Sequence, residues 1–316
     1  MNTDMVATIA SALAPVGFVI VLGYVAGRHG SFGVPDRALL TRLVLTWLLP
    51  PLLLSGVLKT PRADLLDFRI LLIFFVGLIA PYAAVLLICR FVLRYDTGTA
   101  TLKACLVAFP DMVFMGIPIL ARLFGPASLY PILLANLTPS LIIIPLTTVL
   151  LQSGSDTAKG SGAKVFAETL LQALRQPQVW APAIGAVLVL MKVPIPRVAT
   201  ESLDLIGGAT TGLSLFVVGL IVSEEQVRIT AAVTADVLLK NLGQPVVMLM
   251  TVRAFGVTGV LAREAILLAA IPSAVITAIF AEQYGVITSE ASSTILGTRI
   301  LAFATIPLVA TLTEHL

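Results

Sequence analysis

Charge is scarce in this chain: Lys, Arg, Asp and Glu supply 12% of its 316 residues, about half of the roughly 25% of an average soluble domain. That share is too small to clothe a water-facing surface. With 58% hydrophobic residues and a mean hydropathy of +1.02, the chain is built for lipid. Histidine and cysteine are rarer still, with two of each. His29 lies in a polar loop and His315 near the C-terminal end, and without an HExxH pattern a hydrolytic metal lacks its ligands. Cys89 and Cys105 fall in apolar runs without CxxC spacing, as buried packing residues do, so neither a disulfide nor a metal pair is expected. No Walker A or GxSxG sequence occurs, which argues against an ATP-driven pump or a hydrolase. No cofactor or metal is expected. The net charge of +3 is spread over single basic residues, without the cluster that binds nucleic acid.

What is there in abundance is apolar sequence in long runs. A spanning helix needs about 20 residues, and polar breaks divide the chain into about ten such runs: approximately 5–27, 38–58, 70–93, 101–124, 128–152, 178–193, 199–223, 229–254, 260–283 and 288–313. The fold class is therefore an all-α polytopic membrane protein. Asp4 stands where a signal peptide would carry basic residues, so the first run is expected to be retained. The longest polar stretch, Ser153 to Gln178, has a Gly/Ser-rich start typical of a linker, and Val165 to Leu174 read as a short interfacial helix. It separates five spans at residues 1–152 from five at 178–316, with 153–177 as a cytoplasmic linker. An odd number of spans per half makes the halves enter the membrane from opposite sides, as inverted repeats do. A fixed offset supports repetition: Pro110 and Pro272 are 162 residues apart, and so are Pro145 and Pro307. A narrow excess of Lys and Arg in the loops places the N-terminus outside.

The fourth and ninth spans carry the unusual chemistry. Each has a proline near its middle, and proline lacks the N–H that would bond four residues back, so Pro110 and Pro272 should open their helices. Open backbone at membrane depth is tolerated where it is buried in protein or lines a cavity, and paired broken helices hold the substrate sites of secondary transporters. In an inverted repeat the half-helices that follow both breaks would present their N-termini, with unpaired N–H groups and positive dipole ends, to the centre. Pro110, Asp111, Met112, Pro272, Ser273 and Ala274 are thus candidate anion-binding positions. Arg299, in the tenth span, is a second candidate because its planar fork of donors matches a carboxylate. A structural pair with Asp111 is its alternative. Asp111 is a candidate carrier of a coupling proton or, alternatively, a helix-start cap. Asn136, Thr138 and Ser214 are candidate cavity groups, or else helix–helix hydrogen-bond partners. Lys240, next to Asn241 and ahead of Gln244-Pro245, either faces a cavity or snorkels to an interface. Asp204 and Asp236, nearer span ends, are expected to be solvated. Pro50-Pro51 should break the second span or kink it.

The stretches FPDMVFMGIPIL (109–120), LRQPQVWAPAIG (174–185), GLSLFVVGLIV (212–222) and IPSAVITAIFAEQYGV (271–286) resemble the auxin efflux carrier family, which includes plant PIN-type carriers and bacterial malonate-type permeases. The proline-broken segments are the most specific part. The resemblance implies ten helices in two inverted five-helix repeats, crossing fourth and ninth helices at the midplane, a scaffold and a moving domain, an outside N-terminus, a homodimer, and transport of organic carboxylates. Asp111 departs from the plant pattern, where Asn is typical after the first proline, and the linker is far shorter than the plant loop. The reading is a secondary active transporter of small mono- or dicarboxylates in a bacterial inner membrane, with Asp111 as the proton carrier. Its alternatives are a sodium-coupled symporter and an anion receptor that does not transport.

Overall fold

The computed structural model describes residues 3–65, 68–153, 162–224 and 228–316; the Gly/Ser-rich start of the linker, at 154–161, lies outside them. Among the described residues the chain is helical apart from its connections and one isolated β-bridge. The helices are α1 (Thr3–Arg28), α2 (Val34–Leu58), α3 (Arg69–Val92), α4 (Thr97–Ala108), α5 (Met112–Phe124), α6 (Leu129–Ser153), α7 (Gly162–Leu174), α8 (Pro177–Leu190), α9 (Arg197–Glu224), α10 (231–254), α11 (Val260–Ala270), α12 (Ile276–Tyr284) and α13 (Thr288–Leu312). Among the described residues, five helices are long and apolar enough to cross a bilayer: α2, α3, α6, α9 and α13. Shorter apolar helices cover Ala14–Arg28, Met112–Phe124 and Pro177–Leu190. An all-helical polytopic membrane protein follows, because in lipid every backbone polar group must be satisfied within its own segment.

Pro15, Pro81, Pro182 and Pro307 lie inside α-helical stretches; other prolines change the backbone around them. Pro50, Pro118, Pro145 and Pro245 each stand two residues beyond a five-residue π-turn, at Val44–Leu48, Met112–Gly116, Pro139–Ile143 and Leu239–Gly243. A proline leaves one carbonyl of the preceding turn without its donor, and local widening of the helix absorbs that mismatch while the helix continues. Pro50-Pro51 therefore do not break the second span: they sit in the first turn of the helical stretch Leu49–Leu58. Pro110 and Pro272 behave differently, and at both the helix stops.

The chain folds into two compact units. The first takes residues 1–70, 112–133 and 175–225, with α1, α2, α5, α8 and α9. Lipid tails give apolar helices no hydrophobic reason to associate, so close packing of small residues does the work. Gly23 and Gly27 on α1 meet Gly219 and Ser223 on α9. A Cβ added at Gly23 would lie 2.1 Å from the Phe216 carbonyl oxygen, and one at Gly219 would lie 2.1 Å from that of Ile20. Gly185 of α8 likewise fits against Leu54 and Val57 of α2. Asp204 is exposed, as expected, and accepts from Lys59 Nζ at 2.6 Å and Ser55 Oγ at 2.5 Å.

The second unit takes residues 71–111, 134–174 and 226–316, and so gathers α3, α4, most of α6, α7 and α10–α13. Leu102, Leu106, Leu151, Phe280, Ala281, Ala291 and Ile295 form its apolar core. Tyr82 on α3 bonds Thr147 on α6 at 2.9 Å, so its buried hydroxyl is satisfied. Asp96 caps α4 by accepting from the Thr99 N–H at 2.9 Å, and its bonds with Thr99 hold its carboxyl below the usual value of 3.8. Asp236 is not solvated. It is buried, and it pairs at 2.9 Å with Lys103, which also binds Glu290 from the first turn of α13. Its nearness to a span end in the sequence misleads because α4 brings a lysine to the same depth.

Candidate functional site

The two interrupted helices of the second unit end in the same way. Each residue preceding a proline is forced out of the helical region by the proline ring: Phe109 has φ −107° and ψ 97°, and Ile271 has φ −62° and ψ 139°. α4 stops at Ala108 and α11 at Ala270. The extended residues beyond them pair antiparallel, with the bridge at Pro110 and Ser273. Asp111 N–H donates to the Pro272 carbonyl at 2.8 Å, and Ala274 N–H donates to the Phe109 carbonyl at 2.9 Å. Each break thus supplies the partner the other needs.

Helix ends leave carbonyls unpaired as well, and side chains take them. Ser273 Oγ donates to the Leu106 carbonyl at 2.5 Å, and Gln244 Nε2 to that of Ala108 at 3.0 Å. Lys240 Nζ donates to the Ala269 carbonyl at 3.0 Å and to Gln244 Oε1. On the α13 side, Thr298 Oγ1 accepts from Ser273 N–H at 3.2 Å, and Asn241 Nδ2 donates to the Thr298 carbonyl at 2.9 Å and to Thr305 Oγ1 at 3.2 Å. The result is a polar network of α4, α10, α11 and α13 inside an apolar unit, with nearly all of its members satisfied. Lys240 does not snorkel to an interface: it is fully buried, because the ends of α4 and α11 offer its charge oxygen ligands, directly and through Gln244.

Arg299 stands beside this network on α13, 2% exposed. Its Nη2 lies 3.3 Å from Asp111 Oδ2, a long contact for a charge-assisted bond, which is usually 2.7–2.9 Å. Its Nε and Nη1 are buried and have no hydrogen-bond partner among the described residues. Unpaired buried donors on a cation are costly, and in a native fold each calls for an explanation.

Six of the sequence candidates, Pro110, Asp111, Pro272, Ser273, Ala274 and Arg299, therefore come together in the second unit. Met112 is buried at the start of α5 but belongs to the first unit. Asn136 is half-buried on α6 and takes no part in the network. Ser214 bonds within its own helix, to the Thr211 carbonyl at 3.1 Å. Sequence reasoning missed the roles of Gln244, Thr298 and Asn241. The signal was present in KNLGQP at 240–245, a polar cluster inside an apolar run, but its partners lie 29 to 136 residues away.

Residues 8–310 match the family model described as membrane transport protein, Mem_trans. The chain belongs to this family, that of the auxin efflux carriers. The uncharacterized transporter YfdV of Escherichia coli K12 is 26% identical to it over 296 residues, 92% of this chain and 93% of that one. A putative malonate transporter of Rhizobium meliloti is 24% identical over 305 residues, 95% and 94% of the two chains. Auxin efflux carrier component 3 of Arabidopsis thaliana is 28% identical over 120 residues, 36% of this chain and 19% of the plant protein. The similarity to the bacterial transporters runs nearly end to end, and that to the plant carrier covers about a third of this transporter.

Proposed function

We propose that this membrane transport protein is a secondary active transporter of small organic anions, mono- or dicarboxylates, working by alternating access around the paired helix breaks. The observation that carries the reading is Arg299: a buried guanidinium with two unpartnered donors beside two proline-broken helices. A substrate carboxylate would take one of those donors together with Nη2, the edge of the guanidinium that forms a planar fork a point charge cannot copy. The N-terminus of α12 at Ile276 follows the second break and adds the positive end of a helix dipole. Asp111 shares Arg299 with the incoming carboxylate, so its protonation would release Nη2 to the substrate, and it is the group to which we assign the coupling proton. The name of the Rhizobium relative makes malonate the first substrate to try.

The two halves of the chain are, in this reading, inverted five-helix repeats with crossing fourth and ninth helices, in a bacterial inner membrane with the N-terminus outside. The second unit carries the substrate.

Counterflow of radiolabelled malonate and a panel of other carboxylates in proteoliposomes tests the reading, with pH and voltage gradients imposed separately. Arg299→Gln should abolish saturable binding, and Arg299→Lys should restore little of it. Asp111→Asn should bind substrate but lose the response to a proton gradient. Retention of wild-type affinity in Arg299→Gln, with stability rescued in the Arg299→Gln/Asp111→Asn double variant, would reduce the pair to a structural ion pair. Binding without counterflow would identify a receptor.

A further inference from the structure

We propose that Lys103, Asp236 and Glu290 form a second proton-binding site of the second unit, one that passes protons between the water at one end of the unit and the paired breaks. This rests on reading the chain as a proton-coupled carrier. The three side chains come from α4, α10 and α13, three of the four helices that hold the breaks, at the end where all three begin. Lys103 Nζ donates to Asp236 Oδ2 at 2.9 Å and to Glu290 Oε1. Two carboxylates thus face one ammonium, and the cluster holds one negative charge more than it balances. A buried charge is costly unless it is matched, and a proton on either carboxylate removes the surplus. Among the described residues no other cation does so: Arg90, Arg94 and Arg228 at this end are exposed, and Lys240, one turn further along α10, is bonded to Gln244 and Ala269. Asp96 and Glu282 at this end are exposed too. Cys89 and Tyr95 border the cluster and bring no positive charge.

The cluster lies between the water and the breaks. Glu290, in the first turn of α13, is half-buried, whereas Lys103 and Asp236 are buried, so water meets Glu290 first. The positive end of the α13 dipole favours the charge on Glu290, and Asp236 takes the proton. From Glu290 to Arg299 the helix rises ~13 Å, and the way along it is marked. Residues four apart share a helix face, and Glu290, Thr294 and Thr298 stand at that spacing. Thr298 already accepts from the Ser273 N–H at the second break. Thr298, Thr305 and Thr311 each donate to a carbonyl of the preceding turn. Thr294 does not: its Oγ1 is buried without a hydrogen-bond partner among the described residues. A hydroxyl both donates and accepts, so an open one midway between cluster and break can pass a proton along a chain of intervening waters.

The test is an infrared titration of the purified transporter without any organic anion, in an Asp111→Asn background that silences the carboxyl at the breaks. The protonated-carboxyl band lost on raising the pH should shrink by the share of one carboxyl when either Asp236→Asn or Glu290→Gln is added, since one carboxylate facing one ammonium needs no proton. Glu264, buried on α11, is in every sample and cancels in the comparison. A band that persists unchanged in Glu290→Gln would overturn the proposal, and that arm stands even if Asp236→Asn does not fold, because Glu290 sits at the half-buried edge of the cluster. In proteoliposomes, Thr294→Val, which keeps the shape and loses the hydroxyl, should lower proton-driven uptake several-fold more than it lowers counterflow. An equal fall in both would overturn the passage to the breaks. The infrared arm involves neither Asp111 nor a substrate, so it succeeds or fails independently of the carrier reading.

Discussion

Lys103 serves two carboxylates at once, Asp236 and Glu290, and the three side chains are 5%, 7% and 23% exposed. The Tyr95 ring stands 5.7 Å from its ammonium and adds a cation–π contact. Removing one partner of a buried ion pair leaves the other uncompensated and costs about 3–5 kcal/mol, more than the intact pair contributes relative to apolar residues. Lys103→Met should therefore lower the thermal midpoint severely, and adding Asp236→Asn should recover part of the loss. A midpoint within a degree or two of wild type for Lys103→Met would show that water reaches the cluster freely. Lys103 and Lys240 are both buried on apolar helices, yet they meet opposite solutions. One is matched by carboxylates, and the other by helix ends.

At the scale of elements, glycine decides how closely α1 and α9 approach. A side chain at Gly23 or Gly219 would run into backbone atoms of the opposite helix rather than the movable end of a side chain, so the helices would have to part. Gly23→Leu and Gly219→Leu should each destabilise the first unit by several kcal/mol, at the high end of single substitutions. Gly212→Leu on the same helix, where an added Cβ meets nothing within 4 Å, should be tolerated. Thermal melts of the three variants check this; leucine favours the helix over glycine at all three positions, so equal loss for Gly212→Leu would mean that close approach of the two helices is not what sets the cost. The π-turns belong to the same scale. They let four prolines sit within continuous helices, whereas the prolines at 110 and 272 find extended partners in each other and end theirs.

At the scale of the whole molecule, the paired breaks are held from four helices, so neither proline alone maintains them. Pro110→Ala removes one obstacle to a continuous helix, worth about 3 kcal/mol in propensity, but leaves the Ala274–Phe109 and Asp111–Pro272 bonds and the Ser273 and Gln244 caps in place. Each single Pro→Ala variant should keep most of its counterflow activity. The double variant should lose transport by more than its stability falls; equal loss of both would mark the prolines as ordinary kinks. Apolar runs of about 20 residues located the helices, because helix formation and burial in lipid depend on near neighbours and composition. The two breaks were legible for an equally local reason: a proline lacks its N–H whatever surrounds it. The partners of Lys103, Lys240 and Arg299 were not legible, since Lys103 meets Glu290 across 187 residues and Arg299 meets Asp111 across 188. Nor was the gathering of α3, α4, most of α6 and α10–α13 into one unit. The sequence by itself determined where helices run and where they must stop. Which charges share a depth, and which buried donors are left without a partner, was decided by packing between segments far apart in the chain, and only the tertiary structure records it.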